Sequence, residues 1–302
     1  MAARPPRTVI VTGANKGVGF EIARHLAAKA AVVVVTSRDE ARGADAVARL
    51  AGAAPTRASS PPPTLLSHPL DLASPASIAA FAAWVTDPAG PLGGRVDTLV
   101  NNAGMAFKGD TWSAGQAAAT AAVNYAGTRA LTDALLPAIP AAGAGGVGDP
   151  SAGRIVNVGS RAGQLRMVGD PALRARWEQA ADAGGPPGTA GPAAIDALVA
   201  EFVAAVADGS YAAKGWPRSM YGVSKLAEAA WTRWLAGVEG RPGGGGGRVV
   251  VLACPGACAT DMSSGRGRPA AAGADTPAWL ATDAPAVEVH GGFWADRERV
   301  DF

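Results

Sequence analysis

The hydrophobic and polar positions of this chain predict strands that are each followed by a helix. An apolar, β-branched run at Val9-Ile10-Val11 leads through a glycine-rich turn into a helix-like stretch from Glu21. A second apolar run follows at Val32-Val33-Val34-Val35. Continuous apolar strands between helices are typical of a parallel sheet buried on both faces. We therefore predict an α/β fold, a doubly wound parallel sheet with helices on both faces, and ligand binding at the carboxyl ends of the strands.

Three glycines fill the turn between the first strand and the first helix. Gly13, Gly17 and Gly19 permit positive φ angles and let backbone N–H groups approach a pyrophosphate, which a helix N-terminus also attracts. Their spacing differs from the commonest dinucleotide fingerprint, and a glycine cluster can also be a flexible turn. The strict order of strand, glycine turn, helix and strand favours a phosphate cradle.

The end of the second strand indicates which nucleotide is bound. A carboxylate there would bind the adenine ribose of NAD, whereas an arginine pairs with the 2′-phosphate of NADP. The chain has Ser37 at this position and Arg38 after it, with Arg42 one turn further on and Lys16 in the glycine turn. These cations predict NADP(H). For Arg42, a place on a solvated helix face is as good an interpretation as a phosphate contact.

Tyr221 and Lys225 are four residues apart, which places them one helical turn from each other. A phenol near its reference pKa of about 10 exchanges protons poorly at neutral pH, but a cation beside it stabilises the phenolate and lowers that pKa. The pair alone indicates little, since any surface helix can carry it. Its meaning depends on the other motifs of the chain.

Those motifs complete a family pattern. Asn101-Asn102-Ala103-Gly104, Val123-Asn124 and Asn157-Val158-Gly159-Ser160 join the glycine turn and the Tyr221/Lys225 pair. Together they resemble the short-chain dehydrogenase/reductase family over essentially the whole chain. The resemblance implies a Rossmann-like sheet and a catalytic tetrad of Asn124, Ser160, Tyr221 and Lys225. It also implies cofactor contacts from Gly13, Asn15, Lys16, Gly17, Val18, Gly19, Arg38, Arg42, Asp71, Leu72, Asn102, Ala103, Gly104, Pro255, Gly256 and Thr260.

The resemblance assigns a role to each reactive residue. Tyr221 would give its proton to the developing alkoxide, and Ser160 would orient the carbonyl oxygen. Lys225 would stabilise the phenolate and bind the nicotinamide ribose, Asn124 would anchor a water relay, and Thr260 would hold the nicotinamide amide. Structural alternatives remain: a strand-end cap for Ser160, a polar helix residue for Asn124 and a helix N-cap for Thr260.

The run from Gly215 to Lys225, the triplet Cys254-Pro255-Gly256 and the tail from Gly273 to Pro277 resemble those of the monomeric NADPH-dependent carbonyl reductases and of plant relatives acting on menthone-type ketones. Two departures stand out: Gly159 replaces the first of two serines, and Ala257 replaces a bulky aromatic residue beside the substrate. The Ala257 change affects the expected substrate range. We predict substrate contacts from three side chains, although tryptophans are more often part of the core: Trp216, Ala257 and Met262.

Three functions remain open at this point. The first is NADPH-dependent reduction of a small-molecule carbonyl, a ketone, aldehyde or quinone. The second is oxidation of a secondary alcohol at the same reversible site. The third is a non-catalytic NADP(H) sensor, which would usually lack a tetrad residue, whereas this chain has all four.

The segment 161–220 separates Ser160 from Tyr221 and resembles the insertion of the monomeric subgroup. Apolar residues at helical spacing in Pro171–Glu178 and Ile195–Val203 predict two helices that bury one face. We expect them to cover the helix surface through which other family members dimerise, and therefore a monomer. The alternative is a mobile flap, hinged at the glycine-rich stretch 184–191, which leaves that surface exposed.

Composition narrows the class of protein. A chain of 302 residues with 48% hydrophobic positions can bury one large core, so we expect a single domain over 1–302. A net charge of +2 gives no basic field for nucleic acid or an anionic membrane. No apolar run reaches the roughly 20 residues of a membrane span, and the first residues lack an apolar signal core. We therefore expect a cytoplasmic location, unless a transit peptide has been removed.

Cysteine and histidine positions predict no metal site. Cys254 and Cys258 lack the C-x-x-C spacing of zinc and redox motifs, and the three histidines are dispersed. Cys254 matches a cysteine near the active site of the animal reductases, but buried packing is the more common role of a free thiol.

Overall fold

The structure is a computed structural model, and it describes residues 8–53, 62–109, 111–142, 145–185, 188, 190–241 and 246–302. The strands are β1 Thr8–Val11, β2 Val32–Ser37, β3 Thr64–Pro69, β4 Thr98–Asn101, β5 Arg154–Val158, β6 Val249–Cys254, β7 Phe293–Ala295 and β8 Glu298–Val300. The α-helices are α1 Gly17–Ala27, α2 Glu40–Ala53, α3 Pro75–Thr86, α4 Ala114–Ala121, α5 Thr128–Leu135, α6 Pro171–Ala180, α7 Pro192–Ala207, α8 Met220–Glu239, α9 Ala270–Thr282 and α10 Ala286–Val289. Short 3-10 turns lie at Leu136–Ala138, Gly146–Gly148, Arg161–Gly163 and Leu165–Met167, and a π-helical segment, Ala122–Gly127, joins α4 to α5.

The described strands form one sheet in the order β3-β2-β1-β4-β5-β6-β7-β8. All neighbours are parallel except β7 and β8, which are antiparallel. The strand order reverses between β1 and β4, where the register pairs Ile10 with Leu99. Ligands bind such sheets at this switch point, beyond the carboxyl ends of the strands. The prediction of a doubly wound parallel sheet is confirmed.

Successive side chains of each strand point to opposite faces, so the sheet has a core on each side. On one side Ile10, Leu99 and Ile155 pack against α3, α4, α5, α7 and α8. On the other side Val9 and Val100 pack with residues of α1, α2 and α9. The β-branched run of β1 is fully buried for this reason.

The segment 161–220 contains α6 and α7, the two helices predicted from its apolar spacing. Leu173 and Trp177 of α6 and Ile195 and Phe202 of α7 are buried in the first of these cores. Helix α7 packs on α4 and α8 and is tied to α5 by the ion pair Arg129–Asp196. The insertion therefore covers α4 and α8. The glycine-rich stretch 184–191, on which the alternative of a mobile flap depended, lies partly outside the described residues.

None of the helices in the described ranges is long and apolar enough to cross a bilayer.

Candidate active site

Thr12 bonds the glycine turn after β1 to the turn after β4. Its buried Oγ1 accepts hydrogen bonds from the N–H groups of Asn102 and Ala103, each at 2.9 Å. In return, Asn102 Nδ2 donates to the carbonyl oxygens of Thr12 at 3.0 Å and Gly13 at 3.3 Å. The two turns predicted to face the cofactor therefore form one bonded unit at the switch point of the sheet.

The glycines of the first turn leave no room for side chains. Gly13 and Gly17 have φ angles of 61° and 60°, which favour glycine. A Cβ at Gly13 would lie 2.9 Å from Ala103 Cα, and one at Gly19 would lie 2.3 Å from Asn102 Nδ2. Within the described chain no side chain caps the first turn of α1, so its N–H groups are open to an anion. These features fit the pyrophosphate of a dinucleotide. Asn15 and Val18, also predicted to contact the cofactor, lie half-buried in the same turn.

The end of β2 has the charges expected for a 2′-phosphate. Ser37 is buried there, and Arg38 and Arg42 beyond it are exposed. Asp39 Oδ1 accepts from the Arg42 N–H at 2.8 Å and so caps α2. Both interpretations of the Arg42 side chain remain open, since an exposed guanidinium serves either one.

Lys16 forms an ion pair with Asp261, in the loop that follows β6. The two side chains are 58% and 75% exposed. A Cβ at Gly17 would lie 3.2 Å from Thr260 Cγ2, so the glycine turn and this loop also touch through apolar atoms. Exposed ion pairs contribute little stability. Lys16 can therefore exchange Asp261 for a phosphate.

The loop after β6 holds Pro255, Gly256 and Thr260, for which the resemblance predicts cofactor contacts. Arg268 fixes its start by donating to the Pro255 carbonyl from Nε at 3.0 Å and Nη2 at 2.6 Å. Gly256 has a φ of 73°. The next helix, α9, begins only at position 270, so the alternative role of Thr260 as a helix N-cap is wrong.

The residues after β3 pack on the π-helical segment. Asp71 Oδ1 accepts from the Ala73 N–H at 2.9 Å and shapes the turn. Leu72 is buried, and its carbonyl oxygen would lie only 2.1 Å from a Cβ at Gly127, the last residue of the π-helical segment. This close approach fixes the segment that carries Asn124.

Asn124 connects the turn after β4 to the helix that carries Tyr221. It is fully buried, and its Oδ1 accepts from the Met105 N–H at 2.7 Å. Its Nδ2 donates to the Met105 carbonyl and to Ser224 Oγ, both at 2.9 Å. A Cβ at Gly104 would lie 3.2 Å from Asn124 Oδ1. Irregular π-helical turns of this kind are frequent at functional sites.

Ser160 follows β5 and is half-buried. Its Oγ accepts from the Ala162 N–H at 3.1 Å and caps a 3-10 turn, so the strand-end interpretation and the catalytic one both stand. A Cβ at Gly159 would lie 2.8 Å from Leu252 Cδ1 of β6. The glycine at this position, which departs from the family pattern, therefore has a packing reason.

Tyr221 lies in the first turn of α8, and Lys225 one turn later has its ammonium group buried. Lys225 Nζ donates to the Val158 carbonyl at 2.8 Å and to Glu228 Oε2 at 2.7 Å. Burial acts to lower the pKa of Lys225, but the Glu228 carboxylate and the Tyr221 oxygen outweigh it and raise that pKa. Lys225 therefore stays charged at neutral pH. A Cβ at Gly104 would come within 3.7 Å of Nζ, so Lys225 and Asn124 meet at the same glycine.

The three predicted substrate residues do not lie together on the surface. Trp216 is 3% exposed, and its ring packs on those of Trp177 at 6.3 Å and Phe202 at 5.4 Å between centroids. The structure therefore assigns Trp216 to the core of the insertion rather than to an exposed substrate wall. Ala257 and Met262 are exposed in the loop after β6.

Two residues of the site were missed by sequence reasoning. Thr12 stands directly before Gly13, and its signal was the T-G pair itself. Glu228 stands three residues after Lys225, and its signal was a carboxylate in an apolar helix stretch. Among the described residues no group of three or more His, Cys, Asp or Glu side chains could hold a metal ion, and Cys254 and Cys258 are free and buried.

Comparison with known proteins agrees with the family resemblance seen in the sequence. The family model described as short chain dehydrogenase matches residues 7–174. The NADPH carbonyl reductase 1 of Mus musculus is 34% identical over 302 residues, covering 98% of both chains. The (+)-neomenthol dehydrogenase of Arabidopsis thaliana is 32% identical over 323 residues, covering 99% of both.

Solved structures of plant reductases share the fold. Salutaridine reductase from Papaver somniferum superposes with a TM-score of 0.74 at 25% identity, covering 96% of this chain and 99% of the other. Menthone neomenthol reductase from Mentha piperita gives a TM-score of 0.72 at 26% identity, covering 97% and 99%.

Proposed function

The chain belongs to the short-chain dehydrogenase family, and on this premise we propose that it reduces a ketone, aldehyde or quinone to the alcohol with NADPH. One observation carries the proposal. The turn around Gly104 is bonded through Thr12 to the glycine cradle and also lies against Asn124 and Lys225. A cradle for a dinucleotide and a buried ammonium group thus share one structural unit. The names of the relatives, an NADPH carbonyl reductase and a neomenthol dehydrogenase, support the same chemistry.

Each of the four tetrad residues has a different role in the reaction. NADPH, when bound, supplies the hydride that adds to the carbonyl carbon. Tyr221 gives its proton to the oxygen as the C=O π bond breaks, and Ser160 donates a hydrogen bond that orients this oxygen. Lys225 stabilises the phenolate that remains and would also bind the nicotinamide ribose. Asn124 bonds both to the turn after β4 and to the helix that carries Tyr221, and so holds the two in register. It can also anchor the water relay through which a proton returns to the site.

The cofactor preference rests on charge. Arg38 and Lys16 are exposed cations in the two turns that follow β2 and β1, and Ser37 stands where a strand-end carboxylate would select NAD. An arginine and a lysine can together bind the dianionic 2′-phosphate.

Two other functions use the same site. Oxidation of a secondary alcohol is the reverse reaction, and the high cellular ratio of NADPH to NADP makes reduction the expected direction. A sensor without turnover would need no intact tetrad, whereas Asn124, Ser160, Tyr221 and Lys225 are all present.

The decisive experiment is an NADPH-consumption assay against quinones, aldehydes, cyclic ketones and isatin-like dicarbonyls. Turnover with one of these classes would support the reductase, and binding of NADPH without turnover would support the sensor.

Tyr221→Phe should lower the rate about 10²-fold or more, as expected for lost general acid catalysis, while NADPH binding is retained. Near-normal turnover in that variant would contradict the role of Tyr221.

We also propose that the protein is a monomer in the cytoplasm. The monomer is supported by α7, whose buried face packs on α4 and α8 and covers the surface that dimers of this family use. Sedimentation velocity should give a mass near 30.0 kDa, and a mass near twice that value would contradict it. The location suits an enzyme that uses the cellular NADPH pool, and cell fractionation tests it.

A further inference from the structure

A buried carboxylate lies beside the lysine of the candidate site. Glu228 is 1% exposed, and its Oε2 accepts from Lys225 Nζ at 2.7 Å. Its other oxygen, Oε1, is buried and has no hydrogen-bond partner among the described residues. The residue lies one turn beyond the Tyr221/Lys225 pair, outside the motif that carries the family resemblance. Lys225 is thus the one cation in contact with this carboxylate within the described chain.

A second buried glutamate on the same helix differs from Glu228 in the hydrogen bonding of its carboxylate oxygens. Glu239, also on α8, is 5% exposed and pairs with Arg248. Both Glu239 oxygens are bonded, since Oε1 and Oε2 accept from Arg248 Nη1 at 3.1 and 3.3 Å and Oε2 also accepts from the Arg248 N–H. Glu239 is a satisfied structural pair. Glu228, in contrast, has one oxygen, Oε1, without a hydrogen-bond partner among the described residues. Its partner is Lys225, the residue proposed above to stabilise the phenolate.

Burial makes the charge of Glu228 variable near neutral pH. Burial raises the pKa of Glu228 to about 7, and the nearby Lys225 charge opposes the rise only in part. The titratable groups that act on this pair in the described chain are Tyr221 on the same helix and the Cys254 thiol at the end of β6. Lys225 stays charged, so the carboxyl group is the member of the pair that changes charge.

We propose that Glu228 is a positioning residue that acts through Lys225 to set the net charge beside Tyr221, and so the pH range in which Tyr221 donates its proton. The proposal rests on the role of Tyr221 proposed above. When Glu228 is ionised, the Lys225–Glu228 pair is neutral and stabilises the phenolate weakly. When Glu228 is protonated, the full charge of Lys225 acts on the phenol. An ionised Glu228 therefore keeps Tyr221 protonated, and able to donate, up to higher pH.

The test compares the pH profiles of variants that keep or remove the charge. Glu228→Gln preserves size and removes the carboxylate, Glu228→Asp keeps the charge, and Glu239→Gln removes a matched buried carboxylate from the far end of α8. In Glu228→Gln the alkaline limb of kcat/KM for carbonyl reduction should move to lower pH by about 1 unit, as expected for the loss of one nearby charge. The acid limb of alcohol oxidation should move the same way. Glu228→Asp and Glu239→Gln should keep the wild-type limbs.

An identical profile for wild type and Glu228→Gln would overturn the proposal, as would an equal shift in Glu239→Gln. Should Glu228→Gln fail to fold, Glu228→Asn also keeps an amide oxygen that can accept from Lys225 and removes the same charge, with the same expected shift.

A second readout needs no turnover. The phenolate absorbance of the substrate-free protein is titrated with and without Tyr221→Phe, which isolates Tyr221 from the other two of the three tyrosines. Its titration should move to lower pH in Glu228→Gln. If it moves while no carbonyl is reduced, the inference holds and the proposed function fails. If carbonyls are reduced and neither readout moves, the inference fails alone.

Discussion

Replacing Thr12 by valine removes one hydroxyl group from a residue that is fully buried and leaves the shape of its side chain unchanged. That hydroxyl oxygen accepts from two backbone N–H groups, those of Asn102 and Ala103, each at 2.9 Å. Valine offers no acceptor, so both N–H groups lose their partner. The link between the cradle of the dinucleotide and the turn beside Asn124 and Lys225 is then weakened, because of the hydrogen bonds described above only those from Asn102 Nδ2 to the Thr12 and Gly13 carbonyls remain.

The magnitude follows from those two bonds. Leaving a buried donor unsatisfied costs about 1–3 kcal/mol, and both N–H groups belong to half-buried residues, so about 1–2 kcal/mol each is appropriate. The free energy of unfolding should fall by about 2–4 kcal/mol. With an unfolding entropy of about 2.1 cal/mol/K per residue, a chain of 302 residues should lose about 3–6 °C in Tm.

Thermal unfolding and an NADPH titration measure the effect. Thr282→Val is the matched control, because the buried Thr282 hydroxyl bonds, among the described residues, only to the Ala278 carbonyl of its own helix, to which it donates at 2.9 Å. It should cost less than about 1 kcal/mol and leave NADPH binding unchanged. Thr12→Val should lower Tm and also weaken NADPH several-fold. If the two variants unfold at the same temperature, Thr12 does not join the two turns as described.

Three further predictions concern charge. Arg38→Ala should weaken NADPH binding by about 10- to 100-fold and NADH binding much less, because a charge-assisted contact is worth about 1.5–3 kcal/mol. Equal losses for the two cofactors in parallel titrations would show that Arg38 does not bind the 2′-phosphate. Asp261→Asn frees Lys16 from its ion pair and should tighten NADPH by a few-fold, whereas weaker binding in the same titration would mean that Lys16 needs Asp261 for its position. Because burial raises the pKa of Glu228 from 4.5 to about 7, its contribution to stability is present below pH 4.5 and is lost as the pH rises through 7. As the pH rises from about 5 to about 8, the stability of wild type should therefore fall relative to that of Glu228→Gln in urea unfolding. A stability difference that does not change with pH would refute the assignment.

The sequence was sufficient for those features that depend on neighbours in the chain. The β-branched runs before Gly13 and at Val32 predicted β1 and β2 because short β-branched runs bounded by turns are typical of a strand buried on both faces. Gly13 and Gly17 adopt the positive φ angles expected of a phosphate turn. The apolar spacing around Trp177 predicted a helix with one buried face, and α6 has it.

Features that depend on distant contacts were not predictable in this way. Lys16 and Asp261 are 245 positions apart, and no local pattern pairs them. Trp216 lies five residues before Tyr221, which suggested the substrate cleft, but its ring packs on Trp177 and Phe202 of the insertion helices. Proximity along the chain does not determine which way a side chain points once a loop separates the two residues.

Glu228 depends on both local sequence and distant contacts. Its contact with Lys225 could have been predicted from helix geometry alone. Residues three apart on a helix face the same side, so any side chain at 228 must lie beside Lys225. Helix α8 is buried without interruption from Gly222 to Thr232, which leaves a carboxylate at 228 no route to water. A buried charge is retained only with a partner, and removing that partner is far more costly than replacing the whole pair by apolar residues. Because Lys225 is buried and charged, an apolar residue at 228 would leave its ammonium group without a countercharge. The glutamate at 228 is therefore explained by the charge of Lys225 rather than by the packing of α8.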